Sequence, residues 1–174
     1  MTLAPTLGSV EALYRRLERE SYRAYHARKR LHKADHFFNF CVTAHALRDY
    51  FFKGKGIADK KKQESYHRLW NRNPALVAVR EIANTSKHFR LQRTPRTRRV
   101  RTKVSDFVYV LASSDGRLRF MHVRAPDITV TLSDGTRLEL YQFTHRVLRY
   151  WRSYLRRQGI RIQRQPFRQL TGHT

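Results

Sequence analysis

SDFVYVLASSDGRLRFMHVRAPDITVTLSDGTRLEL (105–140) decides the fold class of this chain. Over 105–113, 117–123, 127–132 and 137–140 the side chains follow a period of two, which suits a pleated strand half-buried on one face. Ser-Ser-Asp-Gly at 113–116 and Ser-Asp-Gly at 133–135 separate these runs. Glycine after aspartate admits the positive φ that tight hairpin turns need. The stretch therefore predicts an antiparallel β-meander of three or four strands.

On both sides the period becomes helical. Ser9 is suited to cap a helix running through VEALYRRLERESYRAYHARKR, which holds no Gly or Pro and spaces Leu13, Tyr14, Leu17 and Tyr25 among charges. Residues 33–53 read as a second helix, aromatic around most of its circumference and so central to a core. GKGIADKKK then reads as a solvated loop, and 65–70 as a short helical turn. Asn73 and Pro74 are a cap and a first-turn proline opening a helix through PALVAVREIANTSKHF. After the meander, Phe143, Val147, Leu148, Trp151, Tyr154 and Leu155 form an apolar stripe, and Gly159 is a natural stop. The expected fold is α+β: an N-terminal helical bundle, the meander, and a C-terminal amphipathic helix. We expect one domain over 1–174, with a helical half at 9–89, a basic linker at 90–104, the meander at 105–140, the last helix at 141–158 and a basic tail at 159–174.

The charge is lopsided, with 37 Lys plus Arg against 13 Asp plus Glu and a formal net charge of +24. Such a field repels itself unless a polyanion neutralises it, so the expected partner is nucleic acid. Two stretches, 82–105 and 140–174, contain no acidic residue. Arginine outnumbers lysine in both, and its planar fork pairs with phosphate and stacks on bases, which favours RNA over DNA. The expected contacts are Lys87, Arg90, Arg93, Arg96, Arg98, Arg99, Arg101, Arg149, Arg152, Arg156 and Arg157. For Trp151 and Tyr154 the apolar stripe favours a core role over base stacking. One cysteine, Cys41, excludes an internal disulfide. The start, MTLAPTLGSV, lacks the pattern of a signal peptide, and the most apolar run is broken by Asn39, His45, Arg48 and Asp49. A soluble, cytoplasmic protein without a transmembrane segment is expected.

REIANTSKHF (80–89) sets Arg80, Asn84 and His88 at near four-residue spacing. Metal-independent RNA cleavage needs proton transfer and positive donors around the phosphorane. His88 suits the acid/base role, Arg80 the charge, and Asn84 the orienting donor, with Lys87 on a neighbouring phosphate. Arg80 and His88 lie about 12 Å apart along a helix axis, within the combined reach of long side chains. The same residues equally suit the wet side of an amphipathic helix, with Arg80 paired to Glu81 or Asp49. A helical pair with a polar Arg…His helix in a small basic chain resembles the HEPN superfamily. That resemblance implies a helical bundle, often a homodimer, that cleaves RNA with Arg and His in toxin and phage-defence systems. The blocks ADHFFNFCVTAHALRDYFF and VREIANTSKHF, at 34–52 and 79–89, also resemble those of uncharacterised bacterial and phage proteins.

His45 and Asp49 share a helical face, but a helix supplies only two such ligands, so no metal is expected, nor any other cofactor. Cys41 sits among Phe37, Phe38, Phe40 and Val42 and reads as a buried, inert thiol. The rival to nucleic-acid binding is a basic interaction or inhibitor protein that docks an acidic protein partner without catalysis.

Overall fold

A computed structural model describes residues 7–85, 94–112 and 117–163. It is an α+β fold in which a helical N-terminal part, a three-stranded antiparallel sheet and a last helix follow in chain order. The helices are α1 (Val10–His26), α2 (Arg30–Gly54), α3 (Lys60–Trp70), α4 (Pro74–Asn84) and α5 (Leu140–Arg157). The strands are β1 (Arg99–Ala112), β2 (Leu118–Thr131) and β3 (Arg137–Glu139), in the order β1-β2-β3.

Local chemistry explains the helix starts. Ser9 accepts a hydrogen bond from the Ala12 amide at 3.0 Å and opens α1, and Asn73 accepts from the Ala75 amide at 3.0 Å and opens α4 at Pro74. Asp59 takes the Lys62 amide at 2.6 Å, so the lysine run expected in a loop forms the first turn of α3. The loop before it is shorter than expected and buries Ile57. Gly135, at φ +90, makes the β2–β3 turn that its Asp-Gly sequence predicts.

The sheet differs from the expectation at two points. β1 opens at Arg99, inside the stretch read as a linker, because 99–103 pair residue by residue with 127–131 of β2. Glu81 holds the chain just before it, accepting from the Arg96 amide at 2.9 Å and the Thr97 amide at 2.7 Å. RLRFMHV and DITVTL, read as separate runs, form one strand through Pro126. β3 pairs with β2 only at 129–131, so Pro126 is flanked by β1 alone and the missing amide is tolerated. The paired strands continue well past β3 and leave Val104, Val108, Leu118 and Phe120 exposed on one face.

The core lies where α1, α2, α4 and α5 meet and extends under β2. An aromatic cluster ties three helices at its centre: Trp70 of α3 lies 5.9 Å from Phe51 of α2 and 5.4 Å from Trp151 of α5, measured between ring centroids. Such pairs add about 0.5–1.5 kcal/mol each beyond their buried area. Trp151 and Tyr154 are core residues, as their stripe predicts. Cys41 is fully buried, and burial pushes its thiol up, which removes the thiolate a nucleophile needs. No helix among the described residues is long and apolar enough to cross a membrane.

Lys33 sits almost fully buried at the α1–α2 corner. Its ammonium donates to the Ala24 carbonyl at 3.0 Å and the Tyr25 carbonyl at 2.8 Å, two of the last acceptors of α1, and lies 5.9 Å from the Phe107 ring of β1. Lys33→Met keeps the aliphatic volume and strands those carbonyls. It should lower the urea midpoint with an unchanged slope, by an amount corresponding to about 1–3 kcal/mol.

Candidate nucleic-acid interface

On a helix turning roughly 100° per residue, the arginines of α5 do not share a side. Gln142, Arg146, Arg149, Ser153 and Arg157 recur at intervals of three and four and form one polar stripe. That stripe faces a groove of about 960 Å³ whose other wall is Leu69, Arg72, Asn73 and Pro74, where α3 turns into α4. Asp134 and Leu138 also line it.

The groove combines four arginines with three rings. Tyr141 and His145 stack at 5.8 Å with planes 16° apart and are exposed, and Tyr25 of α1 lies 5.7 Å from the Tyr141 ring. Tyr150 also lines the groove, stacked on Tyr154 at 6.0 Å. Burial raises the Tyr150 hydroxyl, which stays neutral near pH 7 as a hydrogen-bond donor. Asp134 is the one carboxylate among the lining residues; the Thr136 amide, which donates to it at 2.9 Å, holds it below its ordinary value. Opposed arginines and exposed rings are what a polyanion with stackable bases requires.

No family model, curated protein or solved structure matches this chain.

Of the residues the sequence singles out, Arg149 and Arg157 line this groove, and the two others on α5, Arg152 and Arg156, do not. Arg152 donates to Glu18 of α1 at 2.5 Å and lies over the Tyr14 ring at 5.8 Å, so it fastens α5 to α1. Arg156 faces a separate hollow beside Gly159, Ile160 and Ile162. Arg96 is exposed beyond its bond to Glu81, and Arg98 lies beside Gly135, its Nη1 3.3 Å from where a Cβ would stand. Arg99 and Arg101 are on β1. Lys87, His88, Arg90 and Arg93 lie outside the described residues.

Arg80 and Asn84 are both half-buried on α4. The Arg80 guanidinium donates to Asn71 Oδ1 at 2.9 Å and stands 3.8 Å from Glu81, one of the two carboxylates weighed as its partner. Arg48, 2% exposed, donates to the Leu76 carbonyl at 3.3 Å and lies 5.5 Å from the Trp70 ring. Burial, with Arg80 adding, lowers Arg48 to about 10. The histidine in this field is His67 of α3, edge-on to Phe52 at 5.2 Å. Burial lowers it first, then Arg48.

Arg72, Arg146, Tyr141, His145 and Tyr150 line the groove without being among the contacts the sequence singles out. Arg146 was legible, since it lies on the same helical stripe as Arg149 and Arg157. Arg72 belongs to a turn whose position depends on the aromatic cluster.

His67 gives a pH prediction. A histidine lowered by the fold keeps its neutral form, so its contribution is fully present above the unfolded value near 6.5 and is lost as pH falls through the window below it. His26, lowered chiefly by burial, acts in the same direction. Melting temperature should fall between pH 7 and 5.5, and His67→Gln should show a shallower fall over that range.

Proposed function

We propose that this chain binds nucleic acid, with single-stranded RNA preferred, along the groove between α5 and the α3–α4 turn. The observation that carries this reading is the convergence of Arg72, Arg146, Arg149 and Arg157 from two walls onto a space lined by Tyr141, His145 and Tyr150. Arginine on both sides would neutralise successive phosphates, and the exposed Tyr141–His145 pair offers ring surface on which a base could pack. A single-stranded ligand can lay its bases on those rings, whereas a duplex buries its own. Cleavage by Arg80, Asn84 and His88 remains a second step within this reading. Its chemistry would need Arg80 to leave Asn71, so binding is proposed without it.

The measurement is the salt dependence of affinity for a labelled single-stranded RNA, run in EDTA so that any metal-independent cleavage is scored in the same lanes. For the wild-type chain the log–log slope should be roughly −4 to −7, and each groove arginine removed should flatten it by about 0.7. Arg146→Ala with Arg149→Ala and Arg157→Ala should therefore reduce the slope by about 2, while Tyr141→Ala should weaken binding at all salts with little change in slope. A salt-independent affinity, or retention of a protein partner after nuclease treatment, favours the acidic-protein reading instead. RNA that is shortened in EDTA by the wild-type chain and left whole by Arg80→Ala and His88→Ala would add the cleavage step.

A further inference from the structure

A second basic groove, of about 470 Å³, lies on the other side of β3 and is lined by Arg30, Val100, Arg101, Thr102, Lys103, Thr129 and Arg137. The strand register explains the cluster. Arg101 is the partner of Thr129 across β1–β2, and Arg137 is the partner of Thr131 across β2–β3, so these residues project on one face of the sheet. Arg30 is the first residue of α2, whose cap residue Lys29 makes no side-chain capping bond and whose first turn holds no acid. The amides of that turn leave partial positive charge beside Arg30.

Two features of this groove ask for a ligand. Lys103 is held by Glu139 at 2.6 Å, but the side chains of Arg30, Arg101 and Arg137 have no hydrogen bond or ion pair among the described residues. Bringing unpaired cations together costs repulsion that an anion would reverse. Thr129 is 4% exposed, yet its Oγ1 has no hydrogen-bond partner. A buried hydroxyl without a partner costs about 1–3 kcal/mol, so its place in the wall of a cationic groove has a natural explanation in a bound acceptor.

We propose that this groove is a phosphate-binding site, with Arg30, Arg101 and Arg137 as the charge and the Thr129 hydroxyl as an oriented donor. Its volume lies in the range of small-ligand sites, so the phosphate could belong to a free phosphorylated molecule. It could equally be an internal phosphodiester of a strand, because Arg137 lines this groove while its neighbour Leu138 lines the first one, so both grooves border the edge strand β3. The shared chemistry is a phosphate oxyanion held by arginine forks. Asp127, on the same face of β2, accepts from the Ile128 amide with Oδ1 at 2.8 Å and is not among the lining residues; burial raises it, and the charges of Lys33 and Lys103 act to lower it.

The test titrates the full chain with inorganic pyrophosphate and, separately, with a short RNA oligonucleotide bearing a 5′-hydroxyl. Arg101→Ala with Arg137→Ala should weaken at least one of the two by about tenfold or more. Arg68→Ala with Arg161→Ala, which removes the same charge from exposed positions elsewhere, should change each by much less. Loss confined to pyrophosphate assigns the site to a free phosphorylated ligand, and loss of RNA binding, with or without pyrophosphate, assigns it to a strand. Thr129→Val separates a ligand donor from a structural hydroxyl. It should lower affinity by about threefold or more while leaving melting temperature unchanged or raised, because no internal bond is lost. Equal losses in the two double variants, no loss in either, or a Thr129→Val chain that binds normally would overturn the proposal.

Discussion

The fold turns on one buried ammonium. Helix α1 ends with carbonyls that have no partner within the helix, and the chain must reverse into α2 within a few residues. Lys33, one turn inside α2, supplies the missing donors to Ala24 and Tyr25 and places its charge beside the Phe107 ring and within the field of Asp127. The pair of helices and the sheet are thereby joined at one corner. Burial lowers the Lys33 ammonium, which marks the cost of keeping a charge there. That cost is tolerated because the alternative, buried carbonyls without donors, is of similar size. The same corner sets Arg30 over β1, so the second basic groove inherits its geometry from a contact that has no role in binding.

Positive charge in this molecule is divided by what it touches. Arg15, Arg23 and Arg152 have carboxylates at 2.6, 3.0 and 2.5 Å and stiffen α1 and its contact with α5. With 13 acids to share among 37 Lys and Arg, most cations must go without such partners. The described ion pairs concentrate at α1 and its contacts with α2 and α5, and leave the α5 stripe that faces α4 unpaired. Composition alone shows an excess; the fold gives it two addresses, one on each side of β3.

Much of this was readable before any coordinates. Ser9, Asn73-Pro74 and Gly135 each act through the conformation of a few neighbouring residues, so local sequence suffices to place them. The apolar stripe of α5 is equally local. What escaped reading depends on distant partners. Arg99, Arg101 and Lys103 look like a linker because they are charged and follow Pro95, yet a strand tolerates long charged side chains where they reach solvent, and only β2 shows that a strand is there. The lysines at 60–62 look like loop until Asp59 caps them. Arg152 is indistinguishable in sequence from Arg149, since its partner Glu18 lies 134 residues away. For the candidate site, the type of residue was legible and its selection was not.

The pair Arg48 and Arg80 shows how a catalytic pattern and a structural one diverge. Arg80 was the arginine read as a charge stabiliser, and a cleaving site would want an arginine free to meet charge that develops on a phosphate. Arg48 instead is sealed under Trp70 with the Leu76 carbonyl, and Arg80 is fastened to Asn71 at the turn that precedes its own helix. Burial, and after it the charge of Arg80, lowers Arg48 to about 10. Their bonds run to a carbonyl and an amide oxygen, neutral acceptors that hold the α2–α4 contact and the α3–α4 turn in register. Arg72 rides on that turn. The arginine nominated for chemistry thus supports, from behind, the wall of the groove in which the proposed binding takes place.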